Sequence, residues 1–376
     1  MTKTRLGLRL QPLDVLFFRD GRPFEAGMRA SGGLPRPQTL AGALRSHLWR
    51  ELGIDFGEMR NALKKSDGDV PAAAESLLGE NAWAAGIRTA GPWLWSDGSK
   101  KGIPPEGPLV PAPADLLSLK NEEKSLIRAA PRKKSPDGWA PASAGMLPLW
   151  HGEQGSIEAA NGFLTSQGLE TYLAGGTPDS KDLIGEEALY TWEDRTGVGI
   201  DADRRRAEDH MLYSVRFLRL REGVSLYAEI EIPSERSDEA RSLLNRAILP
   251  FGGEGRRVEL VVEDEPFAWP SPGGAGDGAL ALLVTPGIFL GEERWRPDAR
   301  ELPGIVSAAV PGSEAISGWD MARKRPKPTR HAVRAGSVYF FEKDCCQNQG
   351  AFVRLCGHEE SDALGYGLAL KGVWKS

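Results

Sequence analysis

Cysteine is scarce in this chain: three among 376 residues, at Cys345, Cys346 and Cys356. An odd, clustered set makes no disulfide framework. With His358 it can be drawn as a zinc site, but adjacent cysteines seldom both reach one tetrahedral ion, and the spacing fits no familiar ligand pattern. The sequence leaves a metal at these four residues open, and no metal or cofactor is expected. Histidine is also rare, with only His47, His151, His210, His331 and His358. No window reaches about 18 uninterrupted apolar residues, so no membrane span is expected. The opening Met1-Thr2-Lys3-Thr4-Arg5-Leu6 lacks the apolar core of a signal peptide, which points to the cytoplasm. No G-x-x-x-x-G-K-[ST] segment occurs, and Gly252-Gly253-Glu254-Gly255 lacks both the spacing and the strand-to-helix order of a dinucleotide site. Positive charge is in deficit too: 47 Lys and Arg against 52 Asp and Glu, a net of −5. That balance weighs against a free-standing nucleic-acid binder, which is basic on the whole.

What is abundant is glycine (45) and proline (27), which punctuate the chain and imply many turns and long loops. Basic residues are clustered rather than spread: Arg204-Arg205-Arg206, Arg256-Arg257, and Arg323-Lys324-Arg325-Pro326-Lys327. Screening confines each cluster's field to about 8–10 Å, so a local basic track on an acidic body still attracts phosphates.

Leu6-Gly7-Leu8-Arg9-Leu10 alternates as a strand. Thr39 is a candidate cap for a helix to Arg50, with Leu40, Leu44 and Leu48 on one face. Residues 53–190 read as a long insertion with a short helix at 71–79. Leu212–Leu220 and Val224–Ile232 read as a hairpin about Arg221-Glu222-Gly223. A helix from Glu239 to Leu249, capped by Ser237, then leads to a strand from Arg256 to Val262. The order β-α-(insertion)-β-β-α-β is the split βαβ order of a ferredoxin-like domain, the platform of RRM-type RNA binders. A second domain begins after residue 268, with strands at 279–284, 337–341, 351–355 and 368–374. The expected fold class is α+β: two tandem ferredoxin-like, RRM-like domains at 1–268 and 269–376, the first carrying the long insertion.

Three glycine-rich segments stand out: Arg195-Thr196-Gly197-Val198-Gly199 and Gly252-Gly253-Glu254-Gly255-Arg256, each beside arginine, and Gly365-Tyr366-Gly367 near the C-terminus. Paired glycines let backbone N–H groups approach a phosphate, and an arginine forks onto its oxygens. Each alone reads first as a plain turn. Phe17 and Phe18 are read as one base-stacking ring and one core anchor, because neighbours on an extended segment face opposite ways. Asp14 and Asp20 are read as turn formers.

The segments Pro12–Phe24 and Leu34–Arg45 resemble the opening of the third-subunit family of the Cmr complex, the type III-B CRISPR effector, within the RAMP superfamily. Arg195–Asp201, Ala335–Phe340 and Gly365–Gly367 also resemble that family's segments. The resemblance implies two RRM-like domains without catalysis. It further implies a grip on the 5′ handle of CRISPR RNA, docking against the large polymerase-like subunit and the first backbone subunit, and antiviral defence. A thumb-like element pushing through the guide–target duplex maps to residues 195–211, which would put target RNA near it. Phosphate or base contacts are expected from Phe17, Phe18, Arg19, Arg36, Arg45, Arg195, Gly197, Gly199, Arg204, Arg205, Arg206, His210, Gly252, Gly253, Gly255, Arg256, Lys324, Arg325, Lys327, Gly365 and Gly367.

Two other classes stand beside this one. A metal-independent RAMP endoribonuclease that processes CRISPR RNA needs a general acid and base, and His210 is the better candidate, His47 reading as a packing residue on its helix. A metal-dependent enzyme needs clustered carboxylates, and Glu186-Glu187 and Glu193-Asp194 lack two-metal spacing. A pure scaffold without RNA contact fits the 11 tryptophans.

Overall fold

Leu6, Leu8 and Leu10 are fully buried, so the N-terminal alternation makes the strand it predicts. The computed structural model describes residues 2–19, 29–30, 32–99, 104–120, 125–134, 137–140, 145–201, 206–271, 276–298, 303–320, 325–342 and 351–375. Its main strands are β1 (Lys3–Pro12), β2 (Arg88–Ser96), β3 (Tyr190–Asp201), β4 (Arg206–Leu220), β5 (Val224–Pro233), β6 (Ile248–Pro250), β7 (Arg257–Val262), β8 (Gly278–Leu283), β9 (Ile305–Ala309), β10 (Val338–Phe341), β11 (Val353–Arg354) and β12 (Leu368–Trp374). Its main helices are α1 (Pro37–Glu51), α2 (Phe56–Lys65), α3 (Val70–Leu78), α4 (Ser166–Leu173) and α5 (Ser237–Leu244). The result is a mixed α and β fold, rich in antiparallel sheet and poor in helix.

One unit comprises Met1–Pro92, Tyr190–Pro266 and Ala315–Arg330; the other comprises Trp93–Leu189, Phe267–Glu314 and His331–Ser376. The chain therefore passes between them five times, and the crossing after Pro266 is the one near the single break that the sequence suggests.

In the first unit β5, β1, β7 and β6 lie side by side, all antiparallel. β2, whose first residues belong to this unit, flanks β5. α1 buries Leu40, Leu44 and Leu48, as the four-residue spacing dictates. Its start differs from expectation: Arg36, not Thr39, is the cap, because Pro37 supplies a preset φ and lacks the N–H that would need a partner. α5 ends at Leu244, short of the predicted Leu249, and residues 248–250 join the sheet instead.

The hairpin read into residues 212–232 does not form. Gly223 turns the chain with φ 81°, yet β4 pairs with β3 from Tyr190↔Leu220 to Asp201↔Arg206, while β5 pairs with β1. β5 is buried along most of its length and fits only a covered sheet position. β4 carries Arg216 and Arg219, whose partners are the carboxylates of β3. The second place in the strand order is filled by β2, from inside the segment read as an insertion.

The second unit is built on β9–β10–β8–β12–β11, again antiparallel throughout. α4 covers β12: a Cβ at Gly372 would stand 2.9 Å from the Leu173 carbonyl oxygen, so the helix lies directly on the strand. Much of the segment read as an insertion therefore belongs to this core. It also holds a buried ionic knot. Asp115 accepts from the Tyr172 hydroxyl at 2.6 Å and from Arg128 Nε at 3.0 Å, while Arg128 Nη1 donates to the Tyr172 carbonyl. Burial, then the neighbouring Asp115 carboxylate, pushes the Tyr172 phenol well above its ordinary range. A folded value above the unfolded one means that this contribution is complete below about pH 10 and lost as pH rises beyond it.

Removing Asp115 leaves a buried guanidinium uncompensated. Asp115→Ala is expected to cost about 3–5 kcal/mol in urea unfolding, and Asp115→Leu with Arg128→Met to recover most of it. A single change with no effect on the midpoint would contradict the knot's role.

Candidate nucleic-acid interface

β3 and β4 form a long two-stranded ribbon whose tip, residues 202–205, lies outside the described residues. Alternation sorts its side chains onto two faces. Glu193 and Arg195 share one face with Val215, Phe217 and Arg219; Asp194 and Arg216 share the other. On the first face Phe217 packs beside Phe17 with ring centroids 5.5 Å apart, in a cluster with Val15 and Val215.

The Phe17 segment is fixed from three sides. Leu13 N–H donates to the Arg257 carbonyl at 3.1 Å, Leu16 and Leu218 exchange two 2.8 Å bonds, and Gly253 N–H donates to the Phe17 carbonyl at 2.9 Å. Gly252 sits at φ 87°, and a Cβ there would stand 2.4 Å from the Phe17 carbonyl oxygen, so glycine is required. This arrangement brings Arg256 to Phe217.

The Arg195 and Arg256 guanidinium carbons lie 4.8 and 4.6 Å from the Phe217 ring centroid. Arg256 Nη1 donates to Asp14 at 3.0 Å. Arg195 Nε donates to Glu193 at 2.6 Å, and Arg219 donates to the same carboxylate through Nε at 2.8 Å and through Nη2. Arg219 also pairs with Asp14 at 4.0 Å. On the opposite face Arg216 forks onto Asp194 with bonds of 2.9 and 3.0 Å. Hydrogen bonds from Arg219 and then Arg195 hold the Glu193 carboxyl below its ordinary value. The bonds to Glu193 and to Asp194 raise Arg219 and Arg216 above theirs. Three guanidiniums, of Arg195, Arg219 and Arg256, thus gather on this face against Glu193 and Asp14, in a geometry that also suits phosphate oxygens, and the Arg216–Asp194 pair lies on the other face.

Several expected contacts take other roles. Phe17 and Phe18 are both buried, at 7% exposure each, so neither is an open stacking ring; Phe18 sits edge-on to Phe251. Gly197 and Gly199 lie within β3 rather than in a phosphate loop, Gly197 paired with Tyr213 and Gly199 at the register shift between Val198 and Ile200. Gly252, Gly253 and Gly255 turn between β6 and β7, not from helix to strand, and serve the Phe17 segment. Gly365 N–H donates to Asp362 and Gly367 N–H to Pro286, so these backbone donors are engaged within the fold. Arg45 donates to the Ile87 carbonyl at 3.1 Å, and the Arg36 carbonyl accepts from Thr39.

Arg19 is exposed and its backbone bridges to Gly32. Arg325 and Lys327 are exposed, and their segment is tied to α1: Lys327 N–H donates to Gly318, while Gln38 Nε2 donates to the Ser317 carbonyl at 2.6 Å. Arg204, Arg205 and Lys324 lie outside the described residues, as do the side chains of Arg206 and His210.

His47 is buried, its Nε2 donating to the Leu243 carbonyl and its Nδ1 accepting from Arg50, which leaves it a packing residue. Glu193 and Asp194 face opposite ways onto separate arginines and cannot share a metal ion. Cys356 is buried with its thiol on the Ile288 carbonyl, and Cys345 and Cys346 lie outside the described residues. Among the described residues no group of His, Cys, Asp or Glu could hold a metal, and no helix is long and apolar enough to cross a membrane.

Asp14, Phe217 and Arg219 were not expected from the sequence as members of the cluster, nor Arg216 as the partner of Asp194 on the other face. Their signal was the complementary charge of two neighbouring strands, Glu193-Asp194-Arg195 against Arg216-Phe217-Leu218-Arg219.

A family model for CRISPR-associated protein Cmr3 matches residues 8–374. The CRISPR system CMR subunit Cmr3 of Saccharolobus solfataricus is 35% identical over 76 residues, covering 20% of this chain and 23% of that protein. The match thus spans less than a quarter of that relative's length. Among solved structures, a chain of the type III-B Cmr-beta bound to cognate target RNA shares the fold at TM-score 0.50 and 19% identity, over 90% of this chain and 86% of that one. A chain of the same assembly bound to cognate target RNA and AMPPnP shares it at TM-score 0.50 and 18% identity, with the same coverage. With its model matched along nearly the whole sequence, this chain belongs to the Cmr3 family of CRISPR-associated proteins.

Proposed function

We propose that this chain is a non-catalytic subunit of a type III-B CRISPR effector that holds the 5′ handle of CRISPR RNA and docks the large polymerase-like subunit and a backbone subunit, in antiviral defence. The observation that carries the reading is the gathering of Arg195 and Arg256 over Phe217, with Arg219 beside them on Glu193 and Asp14, at the root of the ribbon, in a chain of the Cmr3 family. The ribbon is the thumb-like element, with target RNA near its tip.

Repeated topology supports an RRM-like platform. Across their sheet the strands run β2-β5-β1-β7, which is 2-3-1-4 when the four are numbered along the chain, and β9-β10-β8-β12 repeats that order in the other sheet. That is the ferredoxin-like order, and we read the chain as two such halves. The nuclease alternative rests on His210, whose side chain lies outside the described residues, while His47 is packed.

Arg195→Gln with Arg256→Gln removes two charge-assisted contacts, at about 1.5 kcal/mol each. In the assembled complex this should weaken protection of the guide's 5′ end about a hundredfold and flatten its salt dependence. Unchanged footprinting of that end would refute the assignment and favour a scaffold.

A further inference from the structure

Every arginine of the ribbon's root is already held by a carboxylate of this chain. Arg195 meets Glu193 through Nε and Nη2, and Arg219 meets it through the same two atoms. Arg256 is on Asp14 at 3.0 Å, and Arg219 approaches that carboxylate to 4.0 Å. These contacts are assembled from distant places: Asp14 and Arg256 are 242 residues apart in sequence, Glu193 and Arg219 are 26 apart.

We propose that Glu193 and Asp14 act as ionic latches on Arg195, Arg219 and Arg256, selecting RNA by the register of its phosphates. The proposal rests on the reading that this cluster meets RNA. Glu193 occupies the Nε and Nη2 donors of Arg195 and Arg219, and Asp14 occupies Nη1 of Arg256, so a phosphate cannot fork onto those donors while the carboxylates are there. A phosphate that uses them must take the place of the carboxylate. The displaced carboxylate remains tethered nearby and repels the phosphate that replaced it.

One phosphate reaching one arginine gains little from such an exchange. It trades one anion for another and adds a like-charge contact. A backbone that presents phosphates to Arg195, Arg219 and Arg256 together displaces both latches in one event, and Phe217 keeps two of the three guanidiniums in place meanwhile. Discrimination thus comes from an introduced repulsion as well as from attraction. It also gives the acidic balance of the chain a use, because the latches suppress capture of RNA that cannot fill the whole cluster.

The test is a titration of the full chain with a short fluorescent oligouridylate across a salt series. Glu193→Gln with Asp14→Asn removes both latches while leaving every arginine. The variant is expected to bind at least tenfold more tightly than the parent. The slope of log affinity against log salt should steepen by about 1.4, for two more phosphates at about 0.7 each. Glu158→Gln, which removes one negative charge from a Lys120 pair on the other unit where the latch variant removes two, should leave both quantities unchanged. Thermal melting of each variant checks that it is folded. If the parent binds and the latch variant binds equally or more weakly, the carboxylates do not gate the site and the latch fails alone. If Glu158→Gln has the same effect as the latch variant, only total charge matters and the latch also fails. If neither parent nor variant binds, the RNA reading of the cluster falls with it.

Discussion

One backbone contact organises the candidate interface: Gly253 N–H on the Phe17 carbonyl, with Gly252 beside it at a position no side chain can occupy. It fastens the turn between β6 and β7 to the segment that follows β1. The Leu16–Leu218 pair fastens the same segment to β4. The register of β1 on β7, with Pro12 opposite Val258, already carries Asp14 toward Arg256, and these ties bring the two to the ribbon. The ribbon's own chemistry is local, set by alternation along β3 and β4. Its junction with the rest of the unit is not.

The two sheets share a strand order but are covered differently. The first has α1 and α5 in the places between its strands in sequence. The second has no long helix among the described residues between β8 and β9, and α4, from an earlier part of the chain, lies on β12 instead. A stretch that looks like an irregular insertion thus supplies the second unit with a packed helix and the Asp115–Arg128–Tyr172 knot. The knot suits that place, since a charged group is tolerated in a core only with its partner and its hydrogen bonds present.

Local pattern was legible where local physics decides. The β1 alternation, the apolar face of α1, the helix at 71–79 and the strands β8, β10 and β12 follow from side-chain period alone. Pairing was not legible, because β4 and β5 read as partners by proximity and the choice between hairpin and crossover depends on burial elsewhere. Of the site, Arg195 and Arg256 could be named from the sequence. Phe217, Arg219 and the carboxylates could not, since their meeting depends on which strand lies beside β4. The glycines misled for a related reason: glycine marks a backbone need, and at Gly252 that need is a close approach to Phe17 rather than to a ligand.

On the proposed reading, the arginine cluster of this Cmr3-family chain is a surface on which RNA phosphates replace carboxylates. The most direct measurement is to purify the chain with the partners it assembles with and sequence the RNA that comes along. The account predicts guide RNAs sharing one repeat-derived 5′ end. Random RNA, or none, would contradict it.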